Sequence, residues 1–225
     1  MAGANRTPGR NGRVSWPPAL PSARTFVIAG LVVLLVVLGA LGGWLWWDAH
    51  QRRVLAAHAE VIARVQPALA PEASAEAKAA ATRDLEELLA RYPSARRVPE
   101  AAYELGNVRF AAGQYAPARS AYELAVQRGA TGLVRTLARA GLARTWEAER
   151  DFARAAEAYA ALAKDLEPRS FLYEDTLMDQ ARALELTGKK DEAIAIYQRM
   201  LKEVPTAKRA EDVRSRLASL GTAAR

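Results

Sequence analysis

The chain has 225 residues, contains no cysteine and carries a formal net charge of +7. That length allows one domain of ordinary size with appendages, and the lack of cysteine excludes disulfides, thiol catalysis and a lipid-modified cysteine anchor. Residues 1–47 hold four arginines and no acidic residue, which leaves 28 basic and 25 acidic side chains in the remainder. Because these charges are interspersed along the predicted helices, they indicate a solvated surface and argue against nucleic-acid binding.

The N-terminal part of the chain predicts a membrane anchor. Residues 1–25 are rich in Pro, Gly, Arg and Ser, and we expect them to form a disordered cytoplasmic tail. Residues 26–47 contain no charged side chain, and as a transmembrane helix they would measure roughly 33 Å, enough to cross the hydrocarbon core of a bilayer. Three tryptophans end this run, and indole rings favour the headgroup boundary. The alternative is a cleaved signal peptide with a small-x-small site at residues 40–42, which the length of the apolar run disfavours.

The distribution of arginines predicts the orientation of this span. Four arginines precede it, and Arg52 and Arg53 follow it closely. Because positive charge is retained on the cytoplasmic side, the excess before the span predicts a single-pass protein of the bacterial inner membrane with a cytoplasmic N-terminus. Residues 48–225 would then lie in the periplasm.

Residues 48–98 are predicted to form membrane-proximal helices and one degenerate repeat. A first helix continues to Val65 and ends before Pro67, and a second, alanine-rich helix covers residues 72–91. The sequence LEELLARYP ends this second helix, with Leu85 and Leu88 where a helical repeat has its inward residues. The segment would cap the N-terminal end of a repeat stack.

A helical-hairpin pattern recurs three times in residues 99–205, and an amphipathic terminal helix is predicted at about residues 206–220. The large aromatic position of the pattern holds Tyr122, Tyr159 and Tyr197, which are 37 and 38 residues apart. Small residues accompany the aromatic in each copy: Ala118, Ala155 and Ala193 in the second helix, and Gly106, Ala143 and Ala181 in the first. A hairpin of this kind cannot bury its apolar face alone, so we expect the copies to stack with the small residues where helices cross.

The spacing Gly113-x-Tyr115-x-x-Ala118-x-x-x-Tyr122 in this pattern resembles the tetratricopeptide repeat. The resemblance covers about residues 99–220. It implies an all-α fold, in which a single transmembrane helix precedes a tetratricopeptide-repeat α-solenoid at residues 99–225 with a C-terminal capping helix. In such a stack the first helix of each pair lines a concave face.

The whole layout resembles the membrane-anchored ancillary subunit of the bacterial SecYEG translocon. The shared features are a short basic N-terminus, one span, the junction GWLWWDAHQ at residues 43–51 and a periplasmic repeat domain. This resemblance implies an adaptor that binds the translocon and periplasmic chaperones and assists protein translocation or envelope protein biogenesis. The repeats also resemble those of envelope proteins that serve division or outer-membrane assembly. A structural or regulatory component of cell division, cell-wall synthesis or outer-membrane assembly is therefore the alternative.

The chain does not have the residue pattern of an enzyme. His50 and His58 lie eight residues apart, which is not the i, i+4 spacing of a helical metal pair, and residues 59–225 contain no histidine for a Ser-His-Asp site. No glycine-rich phosphate loop follows a strand, because no strand is predicted. We therefore predict no catalytic residue, cofactor or metal, and we expect other proteins rather than nucleic acids or small molecules as partners.

The predicted partner-binding surface is the concave face of the stack. Its candidate residues are the outward positions of the first helices: Tyr103, Asn107, Phe110, Arg144, Glu147, Met178, Arg182 and Glu185. This groove would be apolar at one end and of mixed charge at the other. The alternative for the two aromatic residues is burial in the core, against residues 74–92. Repeat domains that clamp a C-terminal carboxylate have lysine at the position of Tyr103, so no such clamp is predicted.

Overall fold

A computed structural model describes residues 23–204 and 208–221 of the chain. All regular secondary structure in these residues is helical, which confirms the predicted fold class. The helices are α1 (Ala23–Val65), α2 (Ala75–Arg91), α3 (Val98–Ala111), α4 (Tyr115–Gln127), α5 (Gly132–Ala148), α6 (Phe152–Lys164), α7 (Tyr173–Leu186), α8 (Lys190–Glu203) and α9 (Ala210–Ser219), with a short 3-10 helix at Gln66–Leu69. The chain divides into two compact units, Met1–Gln51 and Arg52–Arg225.

The first unit contains the apolar part of α1. This helix begins at Ala23, so residues 1–22 of the predicted tail lie outside the described residues. The candidate membrane span begins at Phe26, and its most apolar window has a mean hydropathy of 2.7 with none of it buried. Near the end of the unit, the ring of Trp46 stacks on that of His50 with their centres 5.7 Å apart. A helix of this length and composition suits a membrane anchor, and it equally suits a signal sequence.

The second unit begins with a small core formed by the end of α1, the 3-10 helix, α2 and α3. Leu85 and Leu88 of α2 are buried there together with Val65 and Leu105, as the predicted inward positions of the degenerate repeat require. These leucines lie one turn apart on one face of α2, and burial of that face favours the observed packing. The segment therefore covers a side of α3 that the first full repeat would leave open.

Each full repeat is built around its predicted tyrosine. Tyr122, Tyr159 and Tyr197 are each 1% exposed. A Cβ added at Gly106 would lie 2.5 Å from the Tyr122 ring, and one at Gly141 would lie 2.6 Å from it. Both distances are too short for a real carbon contact, so the ring requires the absence of a side chain on both neighbouring helices. The alanines predicted at close crossings are fully buried: Ala118, Ala143, Ala155, Ala181 and Ala193.

The turn inside each repeat places one residue in the left-handed region. Gly113 has a φ of +74° and Gly188 a φ of +80°, whereas the equivalent residue of the second repeat is Arg150, with a φ of +64°. The backbone N–H of Arg150 donates to the carbonyl of Glu147 at 2.9 Å, and the two glycines make the same bond in their own turns. A side chain is disfavoured at positive φ because its Cβ approaches the following carbonyl oxygen. The second repeat therefore carries strain that the other two avoid.

Replacing Arg150 with glycine should raise the free energy of unfolding by about 1 kcal/mol, because glycine adopts this conformation without the Cβ clash. The measurement is urea-induced loss of helical circular dichroism. Gly188→Arg is the matched control and should lower the free energy of unfolding by a similar amount. The assigned strain is wrong if Arg150→Gly is no more stable than the unchanged protein.

Candidate partner-binding groove

The structure joins the predicted groove residues of successive repeats by direct side-chain contacts. The guanidinium of Arg144 on α5 lies 5.9 Å from the centre of the Phe110 ring on α3. On the next pair of helices, Arg182 of α7 forms an ion pair with Glu147 of α5 at 2.7 Å. We call the surface formed by the candidate residues of α3, α5 and α7 the groove face. Its residues are the eight candidates: Tyr103, Asn107, Phe110, Arg144, Glu147, Met178, Arg182 and Glu185.

The core tyrosines reach the groove face through their hydroxyl groups. Tyr159 donates its hydroxyl proton to Glu147 at 2.9 Å, and Tyr197 donates to Glu185 at 2.6 Å. Each of these acceptors lies twelve residues before its tyrosine. Burial raises the pKa of both phenols, so both remain protonated donors at neutral pH. The two glutamates are therefore held in place by the same side chains that form the repeat cores.

In the first repeat, a residue at a different position accepts the hydrogen bond from the core tyrosine. The position twelve residues before Tyr122 is Phe110, which has no acceptor. Tyr122 donates instead to the side-chain oxygen of Asn107 at 2.9 Å, one turn earlier on α3. The amide of Asn107 donates in turn to Glu104 at 3.2 Å. An amide has two N–H groups and two lone pairs, so Asn107 keeps one of each for a partner.

The α3 end of the groove face is aromatic. The ring of Tyr103 lies 6.0 Å from that of Tyr122, and the ring of Phe110 lies 5.4 Å from that of Tyr115 on α4. Tyr103 and Phe110 are both only partly buried. Both pack on the cluster of the first repeat, which includes Tyr122, rather than on the separate cluster that contains Leu85 of α2. The two rings thus rest on core residues while keeping an open side.

The α7 end of the groove face opens into a cavity of about 440 Å³ between α7, α8 and the segment carrying α9. Met178 contributes to its lining but is only 9% exposed, so it forms the floor. The remaining lining residues are Asp179, Arg182, Tyr197, Arg209, Asp212, Ser215, Arg216 and Ser219. Sequence reasoning placed α9 as a cap and did not identify its contribution to this site. The sequence feature that could have indicated this contribution is the set of charged residues on α9 opposite its buried side chains.

Two carboxylates at equivalent repeat positions are partly buried beside the groove face. Asp179 of α7 lies 75 residues after Glu104 of α3, which is the sum of the two tyrosine spacings. Burial raises the pKa of Glu104, an effect that its hydrogen bond from Asn107 partly offsets. Burial likewise raises the pKa of Asp179, and the nearby Arg182 only partly counters it. Both acids therefore hold a charge that the folded chain incompletely compensates.

The two histidines lie outside the groove face. His58 is buried, and its ring centre is 6.4 Å from that of Tyr92. Burial is the main cause that lowers its pKa. Among residues 23–204 and 208–221, no group of three or more His, Cys, Asp or Glu side chains has the arrangement of a metal site.

The fold and the groove face define a helical-repeat scaffold. A profile for the tetratricopeptide repeat-like domain matches residues 24–222, and the chain belongs to this family. Domains of this class are typically non-catalytic and mediate contacts between proteins. A search of curated proteins found no match to the chain.

Solved structures support the same fold. One similar structure, of a variant with a single substitution, contains the nearly identical TPR-like repeats of a putative kinesin light chain from Podosopora anserina. It shares 20% sequence identity with this chain at a TM-score of 0.56, and the match covers 76% of this chain and 86% of the other. A second structure of such repeats from the same organism has 16% identity and a TM-score of 0.50, covering 76% and 96% of the two chains. At these identities the likeness concerns the fold alone.

The pKa of Asp179 predicts how its replacement changes stability with pH. Because the folded-state pKa is raised above its ordinary value of 3.8, the ionised carboxylate destabilises the fold above that raised pKa, and the effect disappears below 3.8. Asp179→Asn should therefore raise the melting temperature at pH 7, and the difference from the unchanged protein should vanish in acid. Calorimetry at pH 7 and in acid measures the melting temperatures of the variant and the unchanged protein. Glu157→Gln on the exposed side of α6 is the control, with little change expected at either pH. A lower melting temperature for Asp179→Asn at pH 7 would contradict the argument.

Proposed function

We propose that the chain is an adaptor of the bacterial inner membrane that binds an extended or helical segment of a partner protein on its groove face. The observation that carries this proposal is the pair of half-open aromatic rings, Tyr103 and Phe110, on one side of α3. Residues spaced by three or four on a helix share a face, so both rings and Asn107 are presented together. Family membership supports a protein as the ligand.

The groove face offers a partner two kinds of contact. Tyr103 and Phe110 supply apolar platforms, and the remaining N–H of Asn107 can donate to a backbone carbonyl of the bound segment. Towards α7 the contacts become charged, through Arg144, Arg182 and Glu185. These charges would steer and orient the partner more than they raise its affinity.

The rigidity of the groove face favours tight binding. Glu147 is fixed from two sides, by the Tyr159 hydroxyl at 2.9 Å and by Arg182 at 2.7 Å. Arg144 is held near the Phe110 ring. Side chains that are already ordered lose little entropy when a partner binds. The face is therefore pre-organised for a segment that follows the row from α3 to α7.

The proposed adaptor is anchored in the membrane and meets its partners in the periplasm. Residues 26–47 would cross the bilayer, since the helix that contains them is long and apolar and its side chains are exposed. Residues 48–225 would face the periplasm, because positively charged residues are concentrated before the span. Partners in this compartment that suit an anchored adaptor are the translocon, periplasmic chaperones and envelope-assembly factors. Cell division or cell-wall assembly is the alternative setting for the same binding face.

The double variant Tyr103→Ala and Phe110→Ala tests the groove. If the rings contact a partner, the variant should lose about 2 kcal/mol or more of binding free energy. Loss of a core aromatic side chain lowers the free energy of unfolding by about 3–5 kcal/mol. Because both rings are only partly buried, the double variant should lose much less stability than that, and its melting temperature should fall only slightly. The partner is first identified by photo-crosslinking from position 107 in intact membranes, and its affinity is then measured with purified proteins.

Phe171→Ala is the matched control for this test. Phe171 is 68% exposed in the linker between α6 and α7 and is not part of the groove face. Its removal should leave binding unchanged. Unchanged binding by a stable Tyr103→Ala, Phe110→Ala protein would remove the α3 end of the groove from the function. Binding lost only in proportion to unfolding would show that the two rings act as core.

A reporter that is active only in the periplasm, fused after Arg225, tests the topology. The arginine excess before the span predicts an active fusion and a protein that sediments with membranes. A matched fusion of a reporter active only in the cytoplasm should be inactive. Recovery of a soluble periplasmic protein starting near Gly43 would show that the apolar segment is a cleaved signal sequence.

A further inference from the structure

We propose that protonation of His58 in mild acid releases the end of α1 from α2 and α3. The packing that is lost, which we call the α1 contact, is formed by His58, Val61, Ile62 and Val65 of α1 with Leu85, Leu88, Tyr92 and Ala101. The release is a property of the second unit and needs no partner. Only its setting in the cell rests on the proposed function, because a periplasmic domain meets the pH outside the cell.

His58 is buried with a ring nitrogen that has no hydrogen-bond partner. The side chain is 2% exposed, and Nε2 accepts and donates no bond within residues 23–204 and 208–221. A neutral imidazole has one N–H and one lone pair, whereas the protonated ring has an N–H on both nitrogens. Protonation would therefore put a charge and an unpaired donor at a site closed to water, which is unfavourable while α1 stays in place.

Two charged side chains beside His58 act on it in opposite directions. Burial lowers the pKa of His58 from its ordinary value of 6.5, the guanidinium of Arg97 lowers it further, and Glu100 only partly offsets both. Glu100 lies in the first turn of α3, and its Oε2 is itself buried without a hydrogen-bond partner in the described part of the chain. The carboxylate therefore does not bond the His58 ring through these atoms, and the packed state favours the neutral imidazole.

The other charged groups at the α1 contact lie around a cavity of about 230 Å³ between α1 and α2. Arg64 of α1 pairs with Glu60 at 2.8 Å and with Asp84 of α2 at 3.0 Å. Glu87 and Arg91 complete the charged lining. Because the Arg64 side chain is 55% exposed, its ion pairs contribute little to stability. The α1 contact is thus incompletely packed and is held mainly by its apolar side chains, so that one buried charge can shift its equilibrium.

The pH range of the release follows from the two states of His58. Once α1 separates, the ring meets water and its pKa returns towards the ordinary value of 6.5. Above that pH the ring is neutral in both states, and the α1 contact keeps its full stability. Below it the separated state binds the proton first, so the equilibrium moves towards separation by up to about tenfold per pH unit until the lowered pKa of the packed state is reached.

Separation would remove packing from α3, which carries the aromatic end of the groove face. Leu105 and Val108 of α3 lie in the same core cluster as Val65 of α1. Tyr103 and Phe110 pack on a different cluster, that of the first repeat. In acid, a partner on the groove face would therefore meet a helix that is less firmly supported from behind, and ordering it would reduce the affinity.

The reactivity of one introduced thiol tests the α1 contact. Val54 lies one turn before His58 on the same face of α1 and is 6% exposed, and the chain otherwise lacks cysteine. The full-length Val54→Cys protein in phosphatidylcholine nanodiscs is treated with a pyridyl disulfide between about pH 7.5 and about pH 5.5, where exposed carboxylates stay ionised. Phe171→Cys, at a position that is 68% exposed, gives the rate of an open thiol at each pH. The ratio of the two rates is the protection of position 54.

Protection should fall by about threefold or more from the higher pH to the lower one, because the separated state takes up a proton. With His58→Gln added, no proton can be gained at this site, and protection should be the same at both pH values. His50→Gln is the matched control at an exposed position of the same helix, and it should keep the fall. The fall should be smaller with Arg97→Gln than with Glu100→Gln, since these remove the charges that disfavour and favour the protonated ring.

Three results would overturn the proposed release. Constant protection would show that His58 does not control the α1 contact, and protection that rises in acid would show that the protonated ring pairs with Glu100 and tightens it. A fall that persists with His58→Gln would assign the pH dependence to another group. If glutamine does not pack at position 58 and the thiol reacts at every pH, the charge variants decide, and an equal fall with Arg97→Gln and Glu100→Gln contradicts the proposal. No partner is present in these measurements, so failure of the groove function would leave their result unchanged.

Discussion

The burial of one tyrosine per repeat is the interaction on which the rest of this structure depends. Tyr122 shows why: its ring lies so close to Gly106 and Gly141 that neither helix can carry a Cβ there. The ring therefore sets the separation of α3 from α5 as well as that of α3 from α4. Its hydroxyl must also find an acceptor, because an unpaired buried hydroxyl costs about 1–3 kcal/mol. A single side chain thus joins the core of a repeat, its contact with the next repeat and the surface of the groove.

The need for an acceptor of each core tyrosine hydroxyl accounts for three residues of the groove face. In the second and third repeats the acceptors are Glu147 and Glu185, and in the first repeat Phe110 takes that position and Asn107 becomes the acceptor. In the one repeat where an apolar residue holds the acceptor position, a neighbour one turn away accepts the hydrogen bond instead. This exchange accounts for Phe110 at the aromatic end of the groove face, and the retained glutamates account for the acidic side chains at the other end.

The sequence predicts the repeated positions of the fold and misses several residues whose role appears in one copy only. The tyrosine and alanine positions are visible because three copies agree, and the structure buries all of them. Gly141 has no matching glycine in the other copies, so its role against the Tyr122 ring emerges only from the packing. The strained conformation of Arg150 is missed for a different reason. An arginine does not itself indicate a positive φ, which becomes apparent only when its turn is compared with those of Gly113 and Gly188. The cavity beside Met178 is lined in part by α9, which follows the last repeat and shares no spacing with it.

The positions of the groove face also differ in how readily their side chains can be replaced. Acceptor positions are constrained by a buried hydroxyl, so a substitution there alters the core and the surface together. Positions such as Tyr103, Arg144 and Arg182 are free of that requirement, since no core tyrosine hydroxyl donates to them. Replacing their side chains therefore leaves the core tyrosine hydroxyls paired, whereas replacing an acceptor would leave one of them unpaired. The residues of the groove face that pair the core tyrosines are thus distinct from those that make no such bond.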